Sequence, residues 1–305
     1  MCNKSDISLW PFMFVLNEIP IEERYSFENV IIAGLCMDII KYLINSSNGY
    51  YSCLRCLRCL QSGKSIPTEK GSTIIYPYKS YNPTGPPRSI GLYRKHFKKC
   101  LKKKTMIAGI KDDCILNDLK YYNAIKNTNI DIMHSLFLGV MKKFFEYWFE
   151  HPSSNTYSLK NFLKELDDRL LSIKPPSYVS SLPRSLTKWR KWKSHDFMNF
   201  TIHFSLITFS NLMPIEYFHN YMLFVIAIEN LFRKEIDKNN LQKIQKCIEL
   251  FVSQLAKLYN PNIMKSGIHE LLHLTDLTND FGPLNNINCF PFEELNRKIT
   301  SLIHG

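Results

Sequence analysis

Two pairs of metal-ligand residues lie far apart in the sequence. His269 and His273 are four residues apart, a spacing that places both imidazoles on one face of a helix. Cys53 and Cys56 form a C-x-x-C step, in which a turn directs two thiolates toward one metal ion. Cys59 follows three residues later, so Cys56 with Cys59 is an alternative cysteine pair. Two cysteines and two histidines together predict a structural Zn²⁺ site.

A second interpretation of the histidine pair is catalytic. His269-Glu-Leu-Leu-His273 matches the H-E-x-x-H pattern of zinc peptidases, in which Glu270 is the general base. Glu293 or Glu294 would then be the third zinc ligand. The pattern is short, however, and nine histidines give it several chances to arise. We therefore favour the structural site and keep the peptidase as an alternative.

The composition is typical of a folded protein that stays inside the cell. Among 305 residues, 45% are hydrophobic and 13% aromatic, which is enough for a core in one large domain or two ordinary ones. Nine cysteines do not pair evenly, which favours reduced thiols. No signal-like start and no apolar run of membrane-spanning length is found. We expect a nuclear or cytoplasmic protein that does not contact a membrane.

The charge distribution predicts an acidic partner, with DNA first. The net charge is +12, and no acidic residue occurs from Lys70 to Lys111. A basic run inside this stretch can neutralise phosphates without reading the base sequence. A solvated helix face or a nuclear-localisation signal are the alternatives for this run. The candidate DNA-binding residues are Arg94, Lys95, Lys98, Lys99, Lys102, Lys103 and Lys104.

The pattern of apolar residues predicts strands first and helices later. An apolar run over 8–17 indicates a buried strand, and residues 61–90, rich in Gly, Pro, Ser and Tyr, indicate a loop. Asp131 precedes a long helix, where it suits a cap better than a catalytic acid. Further helices are predicted over 157–173, 194–209, 214–232 and 240–259. The apolar stripe of the first long helix comprises Met133, Leu136, Phe137, Val140, Met141, Phe144, Phe145, Trp148 and Phe149.

Four segments, in order, resemble one family. Gly49-Tyr-Tyr-Ser-Cys-Leu-Arg-Cys56 is similar to its Gly-Tyr-Tyr cysteine turn, and Asp131-Ile-Met-His-Ser-Leu-Phe-Leu-Gly-Val140 to the start of a helix. Trp192-Lys-Ser-His-Asp-Phe-Met-Asn-Phe200 is similar to an aromatic helix. The block from His269 to Glu293 is similar to the final H-x-L-x-H-L…F-G-P-L…F-x-F-E segment. Together they resemble the metazoan branch of CACTA-related (CMC-type) cut-and-paste DNA transposases.

The resemblance implies a mainly α protein with a reduced α/β RNase H-like core. A large all-α insertion would interrupt this core before its last helix. The implied divisions are a core remnant at 1–150, a helical insertion at 151–262, and a terminal segment at 263–305 that carries Glu293. One Zn²⁺ would join the cysteine and histidine pairs across the insertion. The family chemistry is phosphoryl transfer at DNA, with three carboxylates holding two Mg²⁺ ions.

The acidic residues depart from the family pattern. Glu293 matches the third catalytic acid, whereas Asp38 is the nearest acid to the second position and lacks the Pro-Ala-Arg that follows it in relatives. The first acid has no counterpart ahead of Trp10. We therefore expect a truncated transposase-derived chain that is catalytically incomplete and binds DNA or protein partners. An active transposase, if the chain is an incomplete gene model, is the alternative.

Overall fold

The chain is mainly helical, which confirms the predicted mainly α class. Its structure is a computed structural model, and the residues that it describes are 11–15, 30–35, 53, 55–56, 64–68, 71–110, 120, 125, 130–177, 179, 181–287, 289–290, 294, 298 and 301.

Two small antiparallel sheets precede the helices. Strand β1, Pro11–Val15, pairs with β2, Val30–Leu35, as the apolar run predicted. Strands β3, Lys64–Thr68, and β4, Gly71–Ile75, form a hairpin with Thr68 opposite Gly71. The predicted loop over 61–90 is therefore wrong in its first half. Its Gly, Pro and Ser residues obscured a short pattern of β-branched residues, which forms strands when the two segments pair with each other.

The basic run forms a helix, α1, Ile90–Lys103. The Ser89 hydroxyl accepts a hydrogen bond of 3.2 Å from the Leu92 amide and so caps the helix. Tyr93 and Cys100 face inward and pack with Ile110 and Ile125. Cys100 also donates to the Ile110 carbonyl at 3.3 Å. One side of α1 is therefore anchored, and the other side carries the charge.

The apolar stripe after Asp131 lies on a helix that begins as a π-helix and continues as an α-helix. A π-helix spans Met133–Met141 and continues into α2, Lys142–Phe149. A π-helix has wider turns than an α-helix, and such turns are frequent at functional sites. Gly139 suits the π-helix because a Cβ there would lie 3.0 Å from the His134 carbonyl oxygen. The predicted stripe is confirmed, since all nine of its residues are buried.

The remaining helices lie where they were predicted, with bounds that differ by a few residues. The helix expected from 157 starts later, because the Leu159 amide donates to the Trp148 carbonyl at 2.7 Å and turns the chain there. Short 3-10 turns lie at Lys160–Phe162, Leu186–Lys191, Pro261–Ile263 and Leu284–Asn286, and a π-helix at Phe200–Phe204. The α-helices are α3 Leu163–Ser172, α4 Ser194–Asn199, α5 Ser205–Phe209, α6 Ile215–Leu231, α7 Lys238–Leu258, α8 Ser266–Leu271 and α9 Leu274–Phe281.

An aromatic cluster forms the centre of the core. The Phe145 ring lies 5.3 Å from Trp192, 5.2 Å from Phe197 and 5.3 Å from Phe200. These three residues are the aromatic positions of the Trp192–Phe200 motif, so the motif packs directly on the helix that begins after Asp131. Edge-to-face aromatic pairs of this kind add about 0.5–1.5 kcal/mol each to the free energy of area burial.

Among the described residues of 155–262, every element is helical, as predicted for that layer. One buried cluster extends from Ile75 through α2 and α7 to Leu284, so a single core joins residues on both sides of 150 and of 262. The division into 1–150, 151–262 and 263–305 remains a prediction.

Candidate metal centre

The cysteine turn is fixed by the residues that precede α1. Cys56 forms an isolated antiparallel bridge with Pro87, and the Arg88 amide donates to the Arg55 carbonyl at 3.0 Å. The buried Arg88 guanidinium donates to the carbonyls of Cys53, at 3.3 Å, and Ala108, at 3.1 Å. Backbone and side-chain contacts from Pro87 and Arg88 therefore hold the cysteine turn in its conformation.

The histidines do not share one unbroken helix, and this corrects the sequence prediction. Helix α8 ends at Leu271, and the His273 amide donates to the Glu270 carbonyl three residues back, at 3.0 Å. Helix α9 then starts at Leu274. The tighter turn still keeps both imidazoles on one side, with ring centroids 5.1 Å apart and planes at 82°.

The two pairs meet in the interior. One ligand atom from each of Cys53, Cys56, His269 and His273 lies within 4.8 Å of the other three, and all four residues are buried. Cys56 Sγ is 3.1 Å from His269 Nε2. In a tetrahedral zinc site the ligand atoms are about 3.3–3.8 Å apart, which follows from bond lengths of about 2.0–2.3 Å. The predicted cluster is thus present at a spacing that suits one small divalent cation.

The electrostatics of the cluster favour a cation. A hydrogen bond with Cys56, and then burial, raise the pKa of the Cys53 thiol. Burial alone would lower the pKa of His273, but the Cys53 thiolate and Asp276 outweigh it and raise the pKa to about 9. His273 Nε2 is buried and makes no hydrogen bond within the described part of the chain. A divalent cation would displace the protons of these thiols and of this imidazole, stabilise the resulting thiolates and accept the lone pair of this nitrogen.

Surrounding groups orient the ligands. The Tyr76 ring stacks on His269 with centroids 5.7 Å apart, and the Tyr76 amide donates to the Met264 carbonyl at 2.6 Å. Asp276 lies 3.5 Å from His273 Nδ1, the arrangement by which a carboxylate fixes a zinc-bound imidazole. Arg55, between the two cysteines, pairs with Asp280 of α9. The cysteine segment is thereby attached to the histidine segment at several points.

This donor set favours a structural site over a catalytic one. A catalytic zinc keeps a coordination position open for water, whereas four protein ligands close a tetrahedral site. The Glu270 carboxylate, the general base of the peptidase interpretation, accepts a hydrogen bond from the Ser135 hydroxyl, and burial raises its pKa. Glu294 is exposed. Glu293, the other candidate third ligand, lies outside the described residues, so the peptidase interpretation stays an alternative.

The candidate acids are placed as follows. Asp38 and Glu293 lie outside the described residues, and so does Cys59. Asp131 accepts hydrogen bonds from the amides of Met133, at 3.0 Å, and His134, at 3.4 Å. Burial would raise the Asp131 pKa, but the neighbouring His134 outweighs it and the pKa is lowered. Asp131 is therefore a helix cap, as its sequence position indicated.

The basic candidates are all exposed. Six of them lie on α1, at positions that repeat every four residues from Arg94 and from Lys95. Such spacing gives two adjacent rows, which together form a broad basic stripe over about half of the helix circumference. Lys104 ends the helix in a left-handed conformation, with φ of 50°. The pairs on this stripe are Arg94 and Lys95, Lys98 and Lys99, and Lys102 and Lys103.

Sequence reasoning missed the residues that support the metal ligands. Arg88, Tyr76 and Asp276 come from a Pro-Pro-Arg segment, a strand end and a helix start, and no spacing relates them to the cysteines. Of these three residues, Asp276 could have been identified from the sequence, because it lies three residues after His273 and i,i+3 side chains can meet on a helix.

Comparison with known proteins returned no match among protein-family models, curated proteins or solved structures. None of the described helices has the length and apolar character needed to cross a lipid bilayer.

We expect the purified chain to contain one Zn²⁺, because the cluster offers four buried ligands. Cys53→Ala or His273→Ala should remove the metal and lower the free energy of unfolding by more than about 4 kcal/mol, the size expected when a metal site is lost. Elemental analysis and denaturant unfolding measure the two effects. Cys247→Ala, a half-buried cysteine on α7, is the control and should keep the metal. Full metal content in both ligand variants would contradict the assignment.

Proposed function

We propose that this chain is a transposase-derived DNA-binding protein in which a structural zinc ion holds a basic helix in position. The observation that carries the proposal is the buried Cys53–Cys56–His269–His273 cluster, whose cysteine turn is bonded to the residues that begin α1. The four motifs shared with CACTA-related transposases supply the ancestry. A reduced RNase H-like core belongs to the same proposal, and the β1–β2 pair is compatible with it.

The coupling between metal and helix is short and direct. Cys56 pairs with Pro87, the Arg88 side chain binds the Cys53 carbonyl, and Ser89 caps α1. Three consecutive residues therefore connect the metal-ligand turn to the first turn of the basic helix. A cation that fixes the cysteine turn also fixes the direction in which α1 leaves it.

The stripe on α1 suits a phosphate backbone. The helix has 14 residues and is about 21 Å long, over which one B-DNA strand presents about six phosphates. Arg94, Lys95, Lys98, Lys99, Lys102 and Lys103 supply six positive charges along that length. No acidic residue from Lys70 to Lys111 opposes them. Binding of this kind recognises backbone charge and carries no sequence readout.

Reversal of charge on this stripe should weaken DNA binding. We expect wild-type affinity for duplex DNA to fall steeply with salt, because counterions are released from the phosphates. Lys102→Glu, Lys103→Glu and Lys104→Glu together should reduce the slope of log K against log salt by about three, one for each lost phosphate contact. Filter binding across a salt series measures it. Charge reversal at Lys243, Lys246 and Lys257, exposed on α7, gives the same net charge and should change the slope less. Equal effects would mean that only net charge matters.

Metal removal should weaken DNA binding through α1. Chelation, or Cys53→Ser, should release the cysteine turn and the start of the helix, so that affinity for duplex DNA falls at low salt. Added Zn²⁺ should restore the chelated wild type and leave the variant weak. Fluorescence anisotropy measures binding, and far-UV circular dichroism checks that the protein remains folded. Unchanged affinity in a folded, metal-free protein would separate the metal from the DNA contact.

The chain as written should not cut DNA. Two-metal phosphoryl transfer needs three carboxylates around two ions. By resemblance, Glu293 matches the third catalytic acid, and Asp38 is the acid nearest in sequence to the second position. Asp131 is used as a helix cap. Incubation with Mg²⁺ or Mn²⁺ and supercoiled plasmid should give no nicked product above background. Cleavage that Glu293→Gln abolishes would instead favour the alternative, an active transposase.

A further inference from the structure

A cavity of about 380 Å³ lies beside the metal centre, between the π-helix and the segment that carries α8. Its volume is in the range of small-molecule sites. Its walls come from residues 134–144 on one side and 263–270 on the other. It is separate from the zinc ligands, none of which lines it.

One end of the cavity is polar and able to form directional hydrogen bonds. The Ser135 hydroxyl, on the π-helix, donates to the Glu270 carboxylate at the end of α8. His134 lies beside them at the cavity wall and pairs with Asp131. A ligand at this end therefore meets a hydroxyl, a carboxyl group and an imidazole.

The other end is basic. Lys143 lies in the first turn of α2, and Lys265 immediately precedes α8. The two segments run antiparallel, since Ser135 meets Glu270 at one end while Lys143 and Lys265 are at the other. Burial, and then the charge of Lys143, lower the pKa of Lys265, because the two amines are close enough to repel. Lys143 also pairs with Glu146, and Lys265 donates to the Thr73 hydroxyl, so an anion between the two amines would add to these partners and relieve the remaining repulsion.

The middle of the cavity is apolar, and glycines form part of its wall. Val140, Phe144, Ile263 and Ile268 line it. Gly267 brings α8 close to the π-helix, since a Cβ there would lie 3.3 Å from Val140 Cγ2. The ligand chemistry that matches all three zones has an anion at one end, a flat apolar body, and hydrogen-bonding groups on its far edge.

We propose that this cavity binds a nucleotide, with the phosphate between Lys143 and Lys265, the base in the apolar middle, and the base edge at Ser135 and Glu270. The nucleotide has two sources, a free mononucleotide or an unpaired nucleotide of bound DNA. The second source rests on the DNA binding proposed above, whereas the first does not. A plain fatty acid or a simple phosphate would leave one polar end of the cavity without a partner.

The test uses the full-length, metal-loaded chain and two sets of probes. Calorimetry with AMP, CMP, GMP and TMP, against inorganic phosphate, measures the free source. Fluorescence of a duplex that carries one unpaired 2-aminopurine, compared with the same duplex fully paired, measures the DNA source. We expect one of two preferences. Either a mononucleotide binds at least about fivefold more tightly than inorganic phosphate, or the duplex with the unpaired base binds at least about fivefold more tightly than the paired duplex. A factor of five corresponds to about 1 kcal/mol.

Variants locate the effect in the cavity. Lys143→Ala should reduce the preference at least about fivefold, the loss expected when a charged hydrogen bond to phosphate is removed. Lys142→Ala is the matched control, because Lys142 is the exposed neighbour on the same helix, outside the cavity wall. Glu270→Gln keeps the size of the side chain and should change the order of affinity among the four bases.

The outcomes separate the two proposals. A preference for the unpaired nucleotide, or binding of a mononucleotide, that Lys143→Ala weakens and Lys142→Ala does not supports the nucleotide site. Duplex binding without a preference, and without mononucleotide binding, overturns the site and leaves the proposed DNA binding intact. Binding of inorganic phosphate as tight as that of the nucleotides also overturns it. Failure to bind any duplex, with a mononucleotide still bound, overturns the proposed function alone.

Discussion

The meeting of two cysteines and two histidines in the interior is the constraint on which the rest of this protein depends. Cys56 and His269 are 213 residues apart in sequence. Closing a flexible loop of that length costs about 5 kcal/mol in its length-dependent part. Structural zinc binding contributes about 10–16 kcal/mol in small domains, which exceeds that cost. A cation would stabilise this buried cluster of thiols and imidazoles, since burial disfavours its charges and His273 Nε2 has no hydrogen-bond partner among the residues that the structure describes.

Hydrophobic packing defines what the metal centre is attached to. The helix after Asp131 buries its whole apolar stripe, and Phe145 gathers Trp192, Phe197 and Phe200 around it. The indole nitrogen of Trp148 also donates to the Tyr259 hydroxyl at 3.0 Å. This hydrogen bond satisfies a polar group that would otherwise be buried without a partner. This core extends to Ile268 and Leu271 of α8, so packing also contributes to positioning the histidine segment.

Helix α8 separates two kinds of chemistry. His269 is directed to the metal cluster, whereas its neighbour Glu270 bonds to Ser135 in the wall of the cavity. The same short segment therefore determines the geometry of both places. The break after Leu271 explains how, because the tighter turn brings His273 back beside His269 while Glu270 keeps its own direction. Zinc binding and occupancy of the cavity would both restrict this segment.

The sequence by itself determined the features that depend on local spacing. Helical periodicity identified the buried stripe, the run of basic residues marked the segment that forms α1, and Asp131 was recognised as a cap from its position alone. The C-x-x-C and H-x-x-x-H spacings identified four ligands, because both are short-range patterns. Only the tertiary structure brought these ligands together and placed Lys143 and Lys265 in the wall of one cavity. Local periodicity carries no information on which distant segments become neighbours. The β3–β4 hairpin was missed for a different reason: its strands are neighbours in sequence, but their Gly, Pro and Ser residues obscured a short β-branched pattern.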